Sequence, residues 1–312
     1  MAARMGLFDE EEPPNYASLR QEDFDWHDWI YRESCRRLAC QVFCLDMAGG
    51  VFRDRAPALS PLSFKVLLPS YEAPWQATSK SECWKQLQAT SQPLTVSFAF
   101  NRLWGSTAGN FAALEISGYG MFTLIEGLHG CIFNMTREEM MFTTLEDGIA
   151  STTNPFQASA TTMMKRLQSS LSAETIDAIA DGFISTYGGR TFTRLNSALN
   201  AWRQCWQSRV FRDLHNDGKR FLCSPLPFWH LAKLLLMLRL ARIAGAEEPT
   251  LLLPNVKHGD MWNSSLAQDG LLSWLQRLCP GGGEDPASET SEHVGSESNC
   301  IGSRLTVLLR PT

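Results

Sequence analysis

The chain has 312 residues, of which 44% are hydrophobic and 20% are charged. This length is enough to bury a large core, as one big domain or two modest ones, and the composition excludes a mostly disordered chain. The formal net charge of −5 weighs against a general nucleic-acid binder, which needs a basic face to neutralise phosphates.

The cysteines and the absence of an apolar leader indicate the compartment. There are nine cysteines, an odd number, and most lie in apolar or helical stretches, which is typical of free thiols in a reducing compartment. The N-terminus becomes acidic within a few residues and has no signal-peptide core. The most apolar run, residues 231–244, is too short and too charged to cross a bilayer. We therefore predict a soluble intracellular protein without membrane contact.

The first helix is the most strongly patterned element. Residues 1–23 are acidic and proline-bearing, which predicts a flexible arm. Asp25 is a good N-cap, and an apolar stripe follows it, which predicts a helix that stops at Gly49-Gly50. The residues of this predicted stripe are Trp26, Trp29, Ile30, Cys35, Leu38, Ala39, Val42, Phe43 and Leu45.

Four prolines between residues 51 and 75 predict an extended segment over the core, which we name the connector. A short helix is predicted over Ser79–Gln88, capped by Ser79 or Ser81 and with Trp84 buried. Residues 95–104 fit a strand or a helix, and we favour a helix. The spacing Thr136-x-x-Glu139 predicts a capping box that opens another helix.

The second half also has a helical pattern. Residues 161–181 are predicted to be helical, and Tyr187–Arg190 is a predicted break. A buried stripe at helical spacing runs through Leu195, Leu199, Trp202, Trp206 and Val210. Further helices are predicted at 228–243, ended by Gly245, and at 262–278. The element pattern predicts an all-α fold, a large irregular multi-helix domain over residues 24–279, followed by a disordered Gly/Ser/acidic tail at 280–312.

No pattern of catalytic or metal-binding residues stands out. The chain has no C-x-x-C pair, and Cys35, Cys40 and Cys44 lack a nearby histidine, so core packing is the better interpretation than a zinc site. His129, His215, His230 and His258 are interpreted as buried or surface side chains. Nucleophile-elbow and phosphate-binding glycine motifs do not occur. We therefore predict no catalytic, cofactor or metal residues and no enzyme activity.

A set of residues across the first helix, the connector and the helix after it resembles a known family. The helix has the form W-x-x-W-x-x-x-E-S-x-R-R-L and runs to a Leu-Asp, and the connector brings a Leu-Pro and a Glu-x-x-Trp-x-Ala segment. In this order and spacing the chain resembles the fungal-specific transcription factor domain, also called the middle homology region. The residues that carry the resemblance, which we name the motif residues, are Trp26, Trp29, Glu33, Ser34, Arg36, Arg37, Leu38, Asp46, Pro69, Glu72, Trp75 and Trp84.

The resemblance implies an all-α regulatory domain of a nuclear transcription regulator, controlling metabolic or secondary-metabolite genes. It implies a structural role for the motif residues, with Glu33 and Arg37 holding the first helix and the connector together. Family members carry a zinc-containing DNA-binding module, which the given sequence lacks. A truncated gene model, a fragment and a regulator acting through a partner remain open. The implied partners are other transcription factors or co-regulators, with DNA contacted indirectly or through a missing zinc module.

Two other functions remain open from the residues alone. One is a helical enzyme or accessory protein of a biosynthetic pathway, which a pocket with convergent acidic and histidine side chains would favour. The other is a helical scaffold whose tryptophan-rich surfaces bind another protein. The sequence does not distinguish activator from repressor, and it gives no oligomeric state.

Overall fold

Most of the chain up to residue 146, and parts of it up to residue 243, are described in the computed structural model of the protein. The described residues are 8, 15–16, 18–53, 55–105, 111, 114–146, 173–187, 189–213 and 225–243. Only the backbone is described at 52–53, 136–146, 173–177, 187, 209–213 and 241–243.

All regular secondary structure in these residues is helical, which confirms the predicted all-α fold class. The described part contains eight helices: α1 Trp26–Arg53, α2 Glu72–Trp75, α3 Lys80–Gln88, α4 Val96–Gly105, α5 Gly118–Glu146, α6 Ala173–Tyr187, α7 Arg190–Asp213 and α8 Leu226–Ile243. One isolated antiparallel bridge pairs Leu67 with Thr95. No helix in the described ranges combines the length and the apolar character needed to span a bilayer.

The chain divides into two compact units. The first comprises Met1–Gly50, Ala56–Gly130 and Ser197–Phe221, and the second comprises Val51–Arg55, Cys131–Asn196 and Leu222–Thr312. The domain boundaries predicted at 23/24 and 279/280 stay predictions, and the predicted tail, the predicted helix at 262–278 and Gly245 lie outside the described residues.

Helix α1 begins as the sequence predicts and ends later. The side chain of Asp25 accepts hydrogen bonds from the backbone N–H groups of His27 (2.9 Å) and Asp28 (3.1 Å), an N-cap that satisfies donors of the first turn. The predicted stop at Gly49-Gly50 is wrong, because the helix continues to Arg53. Both glycines are buried, so tertiary packing outweighs the roughly 1 kcal/mol helix cost of each glycine.

The buried face of α1 differs from the face that the sequence predicts to be buried. Leu38 and Leu45 are exposed, with 55% and 42% of their surfaces open to solvent. The charged residues Glu33 and Arg36 are buried instead, at 0% and 4% exposure. A hydrophobicity pattern assigns charged side chains to the solvent face. The hydrophobicity pattern therefore predicts the wrong buried face where an internal ion pair lies on the core side of the helix.

Residues 55–71 of the connector are non-helical and follow the prediction of an extended segment, whereas its ends are helical, in α1 up to Arg53 and in α2 from Glu72. Phe64, Val66, Leu67 and Leu68 are buried. The connector is held to α4 by backbone hydrogen bonds, among them Val96 N–H to Val66 O at 2.8 Å. The next two predicted helices are also confirmed. Ser79 caps α3 by accepting a hydrogen bond from Glu82 N–H, Trp84 is buried, and residues 96–105 form α4.

Helix α5 is longer than the sequence predicts. The expected helix start at Thr136-x-x-Glu139 is wrong, because these residues lie inside a helix that begins at Gly118. A favourable capping sequence does not open a helix where the preceding turn is already helical and buried. In the first unit α5 packs on α1: a Cβ placed on Gly130 would clash with Met47 Sδ, so glycine allows this close approach.

The later helices agree with the predictions wherever they are described. Helix α6 ends at Tyr187 and α7 begins at Arg190, which confirms the predicted break. Leu195, Leu199 and Trp202 are buried on α7, while Trp206 is half-buried. The indole N–H of Trp202 donates to Met121 O at 2.8 Å within the first unit. The side chain of Val210 and residues 161–172 are outside the described part.

Candidate functional site: a buried ion-pair junction

Glu33 of α1 is the centre of a polar cluster in the first unit. Its side chain is fully buried, and its Oε1 accepts hydrogen bonds from Ser70 N–H and from Arg37 Nε, both at 2.9 Å. Its Oε2 lies 3.6 Å from Arg36 Nη1, an ion pair longer than a hydrogen bond. Glu33 therefore binds the connector backbone directly and balances two cations of its own helix.

Arg37 extends this cluster to the end of the connector. Its Nη1 lies 3.0 Å from Glu72 Oε1, and its Nη2 donates to Ser70 O at 3.2 Å. The guanidinium also lies over the ring of Trp75, 4.5 Å from the centroid. We name Glu33, Arg36, Arg37, Ser70 and Glu72 the junction. The side chains of Arg37 and Glu72 are each 14% exposed, so this network is largely shielded from water.

Residues at the start of α5 also contact α1 and the connector beside the junction. The hydroxyl of Tyr119 lies 3.0 Å from Arg37 O and 3.1 Å from Gln41 Oε1. The hydroxyl of Ser117, in the residue before α5, donates to Pro69 O at 2.6 Å. Tyr119 and Ser117 were not predicted as site residues. Periodicity carried no signal for them, because hydroxyl contacts to a distant backbone leave no mark on hydrophobic spacing.

An aromatic cluster lies beside the junction. Phe24, Trp29, Cys83, Trp84 and Leu87 form a buried group. Partly buried hydrophobic residues pack against it: Tyr16, Trp26, Ile30, Trp75 and Ala77. The Tyr16 hydroxyl belongs to the predicted arm, and burial raises its pKa, while the nearby Arg36 opposes that rise. Burial raises the pKa of Cys83 to about 12, so this thiol is protonated and unreactive at neutral pH.

The structure brings some motif residues together and separates others. Around the junction and the aromatic cluster lie Trp26, Trp29, Glu33, Arg36, Arg37, Pro69, Glu72, Trp75 and Trp84. Asp46 makes a separate link from α1 to the connector, because its Oδ2 accepts the N–H groups of Ala58 and Leu59, both at 2.8 Å. Ser34 and Leu38 are exposed and belong to neither group.

A small pocket opens next to the junction. Its lining includes Tyr16, Trp29, Arg36, Ser70 and Ser117. The space inside is about 40 Å³, whereas pockets for drug-sized ligands are about 300–1,000 Å³. This volume holds ordered water rather than a metabolite. The arrangement can fix the position of two segments, and the enclosed space beside its charged groups is small.

Most of the cysteines and histidines considered as metal ligands lie in the described residues. Cys40 and Cys44 are buried and Cys35 is half-buried. His129 is buried with Nδ1 at 3.3 Å from Glu126 Oε2, and His230 is buried on α8. His215 and His258 are outside the described residues. In the described part of the chain, no three His, Cys, Asp or Glu side chains are placed to share a metal ion.

Two curated proteins are similar to parts of this chain. A stretch of 73 residues, 23% of the chain, is 33% identical to Transcription factor verF of Penicillium polonicum. A stretch of 128 residues, 41% of the chain, is 27% identical to Zinc finger protein zas1 of Schizosaccharomyces pombe. The aligned stretches span only 10% and 14% of those proteins. No family model matches the chain, and no solved structure matches it. Segments of the chain are thus distantly similar to a fungal transcription factor and to a fungal zinc finger protein.

Proposed function

We propose that the chain acts in the nucleus as the regulatory part of a fungal transcription factor. The observation that carries this proposal is the similarity to Transcription factor verF, with a second similarity to Zinc finger protein zas1, both fungal proteins. The junction supports it, because its charged side chains are motif residues of the fungal-specific transcription factor domain. In this proposal the chain is not an enzyme, and its targets are metabolic or secondary-metabolite genes.

The junction gives the proposed domain a fixed framework. Glu33 and Arg37 connect α1 to the connector at Ser70 and Glu72, through charges that have little access to water. Buried hydrogen-bonded charges are costly to separate, so these two segments move as one piece. Regulation then consists of a change elsewhere in the domain that masks or exposes an activating surface when a ligand or partner binds.

The proposed partners are other transcription factors or co-regulators. The net charge of −5 opposes direct binding to phosphate-rich DNA. DNA is therefore reached through a partner, or through a zinc module carried elsewhere in a longer chain. In a gel-shift assay we expect the isolated chain to show no tight, sequence-specific DNA complex. Such a complex at physiological salt would contradict this part of the proposal.

Deletion of the gene in its fungal host tests the function. We expect the transcript levels of a defined gene set to change, and we expect reintroduction of the intact chain to restore them. A second strain receives the Arg37→Ala chain instead. This substitution breaks the junction, so we expect it to restore the transcripts poorly. An unchanged transcriptome in the deletion strain, grown under conditions where the gene is expressed, would count against a regulatory role.

A further inference from the structure

Helix α1 carries a row of apolar side chains on its solvent face. Tyr31, Leu38 and Leu45 are 69%, 55% and 42% exposed. They recur every seven residues, and an α-helix drifts by only about 20° over seven residues, so all three lie in one line. Half-buried Cys35 and Val42 border this line. We name Tyr31, Cys35, Leu38, Val42 and Leu45 the apolar stripe.

The apolar stripe has the spacing of a helix–helix seam. Its positions follow each other at steps of four, three, four and three, which is the alternation of the two core positions in a coiled coil. It lies opposite the buried face of α1, where Trp29, Arg36 and Met47 contact the core. Isolated exposed apolar residues are ordinary. The line covers about two heptads, and contiguous exposed apolar patches are typical of interaction sites.

We propose that the apolar stripe binds the same stripe of a second copy of this chain, with the two α1 helices antiparallel. Tyr31 and Leu45 stand seven residues on either side of Leu38, so the row is symmetric about that residue. A two-fold axis at Leu38 brings Leu38 against Leu38 of the second copy and Tyr31 against Leu45. Such self-complementarity is what a symmetric dimer interface requires.

Charge complementarity selects the antiparallel direction. Arg32 and Asp46 lie on the same flank of the stripe, near its opposite ends. With the axis at Leu38, Arg32 of one copy faces position 44 of the other and so lies within about 3 Å of Asp46 along the helix axis. The guanidinium has five N–H donors, so it can bind Asp46 of the second copy and keep its 2.7 Å contact to Asp28. A parallel pair separates these charges by about 21 Å.

The length of the stripe sets the expected strength. The three exposed layers span about 21 Å of helix, which is a small interface by the standards of stable complexes, below about 1,200 Å². We therefore expect a reversible dimer that dissociates at micromolar concentrations. It requires no DNA and no transcription, so its test is independent of the proposed function.

Sedimentation velocity of the full chain, from about 1 to about 100 µM, measures this association. We expect wild type to shift from monomer to dimer over this range. Leu38→Glu places two carboxylates at the two-fold axis and should raise the dissociation constant at least tenfold. Leu38→Gln, which adds no charge, should act in the same direction but less strongly. Leu62→Glu is the matched control, because Leu62 is 48% exposed and lies outside α1.

The proposal is overturned if the wild-type chain stays monomeric throughout, including the case in which it binds only a foreign amphipathic helix. It is also overturned if Leu38→Glu dimerises like wild type, or if Leu62→Glu weakens the dimer as much as Leu38→Glu does.

The antiparallel direction of the two helices is tested separately through Cys35. In the antiparallel pair the two Cys35 residues are about 9 Å apart along the axis, too far for a disulfide. A Cys35–Cys35 cross-link on mild oxidation would show a parallel pair and contradict the antiparallel arrangement.

Discussion

The carboxylate of Glu33 lies in the interior of the first unit, where two arginines and a backbone N–H compensate its charge. Transfer of a charge from water is costly, and only well-placed partners offset that cost. The contacts at 2.9 Å to Ser70 N–H and to Arg37 Nε are such partners. Residues of this kind carry the resemblance to the fungal family.

Removal of one charge from the junction should destabilise the protein strongly. We expect Arg37→Ala to lower the free energy of unfolding by about 3–5 kcal/mol, because Glu33 keeps its buried charge and loses its best donor. Arg32→Ala is a matched control on the same helix. It breaks the ion pair with Asp28 at the same spacing, but that pair is about half exposed and contributes only about 0–1 kcal/mol. Urea unfolding of both variants measures the difference, and equal losses would contradict the assigned role.

The buried thiols give a second residue-scale prediction. Burial raises the pKa of Cys83 to about 12, so at pH 8 the reactive thiolate is scarce and the side chain is also closed to solvent. We expect iodoacetamide to leave Cys83 unmodified in the native protein and to label it once the chain is unfolded. Peptide mapping by mass spectrometry measures this. Rapid labelling of Cys83 in the folded protein would show that the aromatic cluster opens.

The N-cap of α1 makes part of the stability depend on pH. Hydrogen bonds from Asp28 N–H and His27 N–H to its carboxylate lower the pKa of Asp25. Its stabilising effect is present above the ordinary aspartate pKa and is lost as the pH falls through the lowered value. We expect Asp25→Ala to be less stable than wild type at pH 7, with the difference shrinking below about pH 4. Asp25→Ser, which keeps a capping oxygen, is the control, and a difference independent of pH would argue against the carboxylate.

At the scale of elements, the sequence predicted helices well and their ends less well. The N-cap Asp25, the cap Ser79 and the break at Tyr187–Arg190 have local causes, and all three are found. The end of α1 and the start of α5 were wrong, because packing of Gly49-Gly50 and of the α5 interior overrides local preference. The predicted exposed face of α1 was also wrong, because the hydrophobic pattern could not place Glu33 in the core.

The candidate site shows the same division between local and distant information. Its charged residues could be selected because they carry the family resemblance, and the spacing of Glu33 and Arg37 indicates a pair on one helix. Their contacts to Ser70 and Glu72 join residues more than thirty positions apart. A backbone N–H or carbonyl carries no residue-type signal, so the contribution of Ser70 could not be read from the sequence.

Two glycines in helix interiors should respond oppositely to alanine. A Cβ on Gly127 would lie 2.9 Å from the ring of Phe100, which is fully buried and cannot move aside easily. We expect Gly127→Ala to cost about 1–3 kcal/mol through overpacking. Gly182 in α6 has nothing within 4 Å, and Gly182→Ala should stabilise by about 0.5–1 kcal/mol. Thermal unfolding of both variants measures these changes, and a neutral Gly127→Ala would contradict the close contact of α5.

At the scale of the whole molecule, the described helices belong to two compact units, each with its own internal polar contacts. In the first unit the junction links α1 to the connector. In the second, Lys233 of α8 is fully buried and its ammonium lies 2.5 Å from Asp181 Oδ1 and 2.6 Å from Asn196 Oδ1. Each network fixes the positions of helices within its own unit.

The central claim, that this chain regulates transcription, is tested most directly by tethering it to a promoter. The chain is fused to an unrelated DNA-binding domain, and a reporter carrying that domain's site is measured in a fungal host. We predict a reporter level several-fold above or below that of the DNA-binding domain alone, with the effect reduced by Arg37→Ala and retained by Leu62→Glu at an exposed position outside α1. An unchanged reporter, with the fusion folded, expressed and nuclear, would contradict the account.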